Sequence, residues 1–148
     1  MSTVNEMRYT RLSAVDAAVS GGFIGALAGL PMAVYMAAVI LVGGYFFYPG
    51  MAISTFVLAH IAVSSIYGLF YSIGSNFLFA ALKSAHPAGM SVVLGISYAS
   101  LLFIVAILVI LPAARTAQFE IPLVHIGAAH LIYGVFLSLL VHYTRFKQ

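Results

Sequence analysis

His60 and His130 are the residues of this sequence best suited to chemistry, because an imidazole can ligate a metal or a haem iron through one ring nitrogen while the other is held by a hydrogen bond. Each stands in a polar stripe. In steps of four, one stretch reads His60, Ser64, Gly68, Ser72, Asn76, and another reads Ile126, His130, Gly134, Ser138, His142. Residues four apart share a helix face. Two helices therefore each carry one small and polar face in otherwise apolar surroundings. A haem b held between the two imidazoles inside a helical bundle is the sharpest chemistry this pair suggests. Tyr67 and Tyr133 precede the glycines on a neighbouring face, where a tyrosine hydroxyl beside a histidine could bind a quinone carbonyl. His125 and His130 lie five apart, about 140° around a helix, so they do not address one metal together.

A plainer role competes with each of these and is preferred. A neutral histidine donates one hydrogen bond and accepts another, and Ser, Asn and His across helices commonly hold helices together in lipid. Tyrosines beside glycines are packing partners by the same argument. Asn76 and His142 then read as interfacial polar groups, and His86, next to Pro87, reads as a loop or capping residue.

Other chemistry finds little foothold. The acidic residues are Glu6, Asp16 and Glu120, all outside the apolar runs, whereas proton and cation pathways are usually marked by carboxylates inside the membrane. The sequence has no His-Glu-x-x-His helix, no phosphate-binding glycine loop and no Ser/His/Asp set. With no cysteine there is neither a disulfide nor a thiolate metal site.

The elements that must position these residues are membrane helices. Hydrophobic residues make up 64% of the chain and charged ones 6%, against about 25% charged in soluble domains. Uncharged runs cover 17–82, 84–114 and 121–144, the first long enough for two crossings at about 20 residues each. The expected fold is an all-α integral membrane protein forming one domain over residues 1–148. Its four transmembrane helices cover about 20–47, 53–81, 88–112 and 121–143, behind a cytoplasmic N-terminal segment of residues 1–13. The first run exceeds the ~7–15 residues of a signal-peptide core, so it reads as a retained helix. Ser13 and Asp16 resemble a capping box that starts the first helix near Ala14. Tyr45 to Tyr48 suit a membrane interface before the Pro49-Gly50 turn, and Glu120 suits the N-terminus of the last helix.

Arg8, Arg11, Lys83, Arg145 and Lys147 fall on one side of this arrangement and Arg115 on the other, which puts both termini in the cytoplasm of a multi-pass protein of the cell (cytoplasmic or inner) membrane. Six dispersed basic residues form no patch for nucleic acid.

An internal repeat organises the helices. Ile66-Tyr67-Gly68-Leu69-Phe70 returns as Ile132-Tyr133-Gly134-Val135-Phe136 at a spacing of 66 residues. Helix 1 carries a glycine zipper, Gly21, Gly25, Gly29 and Ala33, and Ser91, Gly95 and Ala99 of helix 3 align with Gly25, Gly29 and Ala33 at the same offset. Small residues let helices approach closely in lipid, where no hydrophobic force drives them together. Two tandem hairpins in parallel repeat follow, with helices 1 and 3 expected to meet through their small faces, helices 2 and 4 through their stripes, and helices 2 and 3 as neighbours. Pro31 predicts a kink in helix 1.

These features point to a non-catalytic accessory subunit of a larger integral-membrane complex, respiratory or otherwise energy-converting, surrounded by lipid and binding some of it. The alternatives are a haem b or quinone electron carrier using His60 and His130, and a small transporter or channel whose stripes pass a neutral solute.

Overall fold

The computed structural model describes residues 8–9, 11–45, 52–82, 87–110, 112 and 121–147. Four helices form it: α1 (Ala14–Gly43), α2 (Ile53–Leu82), α3 (Pro87–Val105, continued by a wider π-helical turn over Ala106–Ile110) and α4 (Leu123–Arg145). All four are long and apolar enough to cross a membrane. A two-residue antiparallel ladder pairs β1 (Arg8–Tyr9) with β2 (Phe146–Lys147) and brings the two ends of the chain together.

Local chemistry sets the helix limits. The Ser13 hydroxyl oxygen accepts from the Asp16 backbone N–H at 3.1 Å, and the Asp16 carboxylate accepts from the Ser13 hydroxyl at 2.6 Å. The first turn is thus closed from both sides, with Asp16 meeting the side chain of Ser13 where a longer Glu would reach its backbone. Helix α1 runs without a break through Pro31 and ends at Gly44, whose φ of 67° is open to glycine at little cost. Pro87 is the first residue of α3, where its missing N–H has no partner to lose. The aromatic group at 46–48, the Pro49-Gly50 turn, the turn holding Lys83 and His86, and the loop holding Arg115 and Glu120 lie outside the described residues.

The helices do not pair as expected from their faces. The close contacts are α1 with α2, α3 with α4, and α1 with α4. In each hairpin the small face of the odd helix lies on the stripe of the even one, so the two kinds of face meet each other instead of their own kind. A Cβ at Gly21 would collide with Ser72 Cβ, one at Gly25 would stand 2.7 Å from Gly68 Cα, and one at Gly29 would stand 2.6 Å from Ser64 Cβ. In the second hairpin a Cβ at Gly95 would fall 2.5 Å from Gly134 O and 2.6 Å from Ser138 Cβ. Two small faces could come this close too, but a glycine face set on a stripe of Gly and Ser buries both kinds of face within each hairpin. Helices α2 and α3, expected as neighbours, meet through long side chains: Tyr98 Oη donates to Tyr67 O at 2.8 Å, and the rings of Tyr71 and Tyr98 lie 5.2 Å apart.

The core runs down the middle from Met36 and Phe56 near one end, through Ala28, Tyr133 and Leu137, to Val141 near the end that carries both termini.

Candidate functional site

The two stripes, now each covered by an odd helix, supply the polar groups of the interior. Among the described residues the buried polar and charged side chains are Ser64, Ser72, Ser75, Asn76, Ser91, His130, Ser138 and Arg145. Three features can be separated along the bundle.

The first is the histidine level. His60 Nδ1 donates to Phe56 O at 3.0 Å and His130 Nδ1 donates to Ile126 O at 2.8 Å, the carbonyl one turn back in each case. This bond fixes the proton on Nδ1 and leaves the lone pair on Nε2, the arrangement in which a backbone carbonyl orients a metal-ligating imidazole. Tyr133 Oη donates to Ser64 O at 2.7 Å, joining α4 to α2. His60 packs on the ring of Phe56 at 4.0 Å, and His130 lies 6.0 Å from that of Phe103. No group of three or more His, Cys, Asp or Glu placed to hold a metal ion occurs among the described residues. Two imidazoles would be enough to hold a haem iron, whereas a tetrahedral metal site would need further ligands. His125 is placed apart, with Nδ1 hydrogen-bonded to Tyr35 Oη at 2.8 Å.

The second feature is a polar cluster at the terminal end. Arg145, read from the sequence as one of the basic residues that mark the cytoplasmic side, is 2% exposed. Its guanidinium donates to Asn76 Oδ1 at 3.1 Å and to the Ser72 hydroxyl. Position 145 follows His142 by three residues and so stays on the stripe face, where two acceptors of α2 await a planar donor. Asn76 also holds the chain ahead of α1: its Nδ2 donates to Leu12 O at 3.0 Å and its Oδ1 accepts from Leu12 N–H at 3.2 Å. The equivalent position in the second hairpin, His142, is hydrogen-bonded through Nδ1 to Ser91 Oγ at 3.1 Å.

The third feature is the cleft between α2 and α3, with a volume of about 290 Å³, walled by Phe70, Tyr71, Gly74, Ser75, Leu78, Leu94, Ser97, Tyr98 and Leu101. Tyr71 is 5% exposed, and its hydroxyl is a buried polar atom without a hydrogen-bond partner.

The sequence-based candidates thus divide. Gly21, Gly25, Gly29, Ser64, Gly68 and Ser72 come together in one hairpin, and Ser91, Gly95, Gly134 and Ser138 in the other, while Ala33 is fully buried on α1. The Tyr133 hydroxyl is occupied by Ser64 O, and Tyr67 offers its backbone carbonyl to Tyr98. Arg145 was missed although its spacing from His142 marks it. Tyr71 and Tyr98 were missed for want of a signal, since a tyrosine in an apolar run looks the same whether or not its hydroxyl finds a partner. No protein family, curated protein or solved structure matches this chain.

Proposed function

We propose that the chain is a non-catalytic accessory subunit of a larger integral-membrane complex, respiratory or otherwise energy-converting. The observation that carries this reading is that the polar interior is taken up in holding helices together. Ser65 Oγ donates to Gly22 O at 2.9 Å, Tyr133 to Ser64 O, Tyr98 to Tyr67 O, and Arg145 to Asn76 and Ser72. Glycine backbones lie against the serines of the stripes, so the packing lends no support to a solute path along them. Outside, large apolar side chains on every helix are exposed, Val34, Phe70, Leu101 and Val124 among them, which leaves apolar surface for neighbouring subunits. In this reading the bundle is two hairpins in parallel repeat, with both termini on the cytoplasmic side of the cytoplasmic or inner membrane, where the excess of basic residues favours them.

The test is extraction in mild detergent through a terminal tag, followed by gel filtration and mass spectrometry of what co-elutes. Stoichiometric larger membrane subunits are the expected result. A protein that runs alone at the size of a small oligomer removes the proposal.

A second reading keeps haem b, and it rests on the matched Nδ1 bonds of His60 and His130. The haem would bring reversible one-electron chemistry, and the protein would contribute the two imidazoles, their orientation and a dry surrounding. A Soret band that disappears in both His60→Ala and His130→Ala is expected if it holds. Colourless protein from cells supplied with haem precursor counts against it.

A further inference from the structure

We infer that the chain ahead of α1 is a releasable strap, and that its attachment to Asn76 governs how firmly Arg145 holds α4 to α2, and so one hairpin to the other. The strap reaches both of those helices. Arg8–Tyr9 pairs with Phe146–Lys147, which directly follow Arg145, the last residue of α4. Leu12 shares two hydrogen bonds with Asn76 of α2, its C=O accepting from Nδ2 at 3.0 Å and its N–H donating to Oδ1 at 3.2 Å. The same two helices are joined by the Arg145 guanidinium, which donates to that same Asn76 Oδ1 at 3.1 Å and to the Ser72 hydroxyl. Arg145, Asn76 and Ser72 are all buried.

Two physical links couple the strap to this contact. The first is the orientation of one amide. Leu12 presents a donor and an acceptor together, and only one orientation of the Asn76 amide answers both. That orientation also aims Oδ1 at Arg145. Turned over, the amide would set its NH2 against both the Leu12 N–H and the guanidinium. Leu12 in place therefore fixes the acceptor that Arg145 uses. The second link is competition from water. Lifting Leu12 hands its positions on Nδ2 and Oδ1 to solvent, and a hydrogen bond to a charge weakens as the surroundings become more polar. Leu12 is half-buried and its neighbours Arg11 and Ser13 are exposed, so the strap parts from the bundle without unpacking its core. Coupling of this kind is reciprocal. Whatever captures the N-terminal segment loosens the end of α4, and whatever draws α4 from α2 releases the segment.

The test is a double-mutant cycle on the full chain in phosphatidylcholine nanodiscs, read by amide hydrogen exchange at Tyr143 and Thr144 in the last turn of α4. Leu12→Pro removes the N–H that fixes Oδ1 and should speed exchange there about two- to tenfold, the worth of one hydrogen bond. In an Arg145→Met background, where the contact is already gone, the same change should alter exchange by less than about twofold. Reciprocally, Arg145→Met alone should speed exchange at the Leu12 N–H. Leu12→Ala keeps both backbone groups that bond to Asn76 and should stay near the parent. Equal acceleration by Leu12→Pro in both backgrounds, no acceleration in the parent, a Leu12 amide unmoved by Arg145→Met, or a Leu12→Ala protein as fast as Leu12→Pro would each overturn the proposal.

Discussion

The two hairpins make the same contact from different stretches of sequence. In the first, Gly21 faces Gly68 O and Ser72; in the second, Gly95 faces Gly134 O and Ser138. The even-helix partners are 66 residues apart and the odd-helix partners 74, so α3 sits two turns away from the alignment its sequence suggests. The helix starts obey the structural offset: Ser13, the cap of α1, corresponds to Pro87, the first residue of α3. The comparison teaches that small residues at intervals of four define which face is used and leave the register open by whole turns. Something else must fix it. In both hairpins a polar side chain near the terminal end does so, Asn76 on the backbone of Leu12 and His142 on Ser91.

Bulk at the crossing points should break both hairpins most severely. A Cβ at Gly68 meets the backbone of Gly21 and Gly25, and one at Gly134 meets Gly95 O and the Ala99 side chain. Gly68→Leu and Gly134→Leu should each cost about 3 kcal/mol or more in denaturant titration of the reconstituted protein, since backbone cannot step aside. Gly25→Leu belongs with them, and Gly89→Leu, at a position with open space, should be near neutral. Equal tolerance at Gly25 and Gly89 would mean that the close crossings do not hold the bundle.

The register pins should differ in strength. Asn76→Ala removes one of the two acceptors of a buried guanidinium and both bonds to Leu12, so a loss of about 2–3 kcal/mol is expected, with faster amide exchange at Leu12. His142→Ala removes a neutral bond to Ser91 and should cost about 0.6–1 kcal/mol, the range found for hydrogen bonds between membrane helices. If the two losses are equal, the Arg145 cluster adds nothing to the first hairpin. Smallest of all should be Tyr133→Phe, at about 0.6 kcal/mol, because Ser64 O keeps its own helical bond when the phenol is removed. This change tests the join between the hairpins rather than either hairpin itself.

Much of the architecture could be read from residue types. Long uncharged runs punctuated by Pro49-Gly50, Pro87 and Pro122 are enough for four helices, and the Ser13/Asp16 pair marks the start of the first. The glycines at 21, 25 and 29 announce a face that another helix covers. What that face meets was not legible, because a small face is complementary both to a second small face and to a stripe of Gly and Ser. Burial of Arg145 escaped for a related reason. A basic residue near a membrane boundary is normally an orientation signal, and only the three-residue step from His142, combined with Ser72 and Asn76 at the same level of α2, shows that acceptors await it. The histidine level was half visible: the face of His60 and His130 follows from spacing, whereas their matched Nδ1 bonds depend on side-chain rotamers that spacing does not determine.

The short ladder between Arg8–Tyr9 and Phe146–Lys147 has a consequence for how the chain could be rewired. Because Arg8–Tyr9 pairs with Phe146–Lys147, joining the termini by a linker and opening the chain between Leu82 and Pro87 would give the order α3, α4, α1, α2 with both hairpins kept whole. Circular permutation succeeds where ends are adjacent and the new break lies between elements. A permuted chain that inserts and folds like the parent would mean that neither hairpin has to be made first.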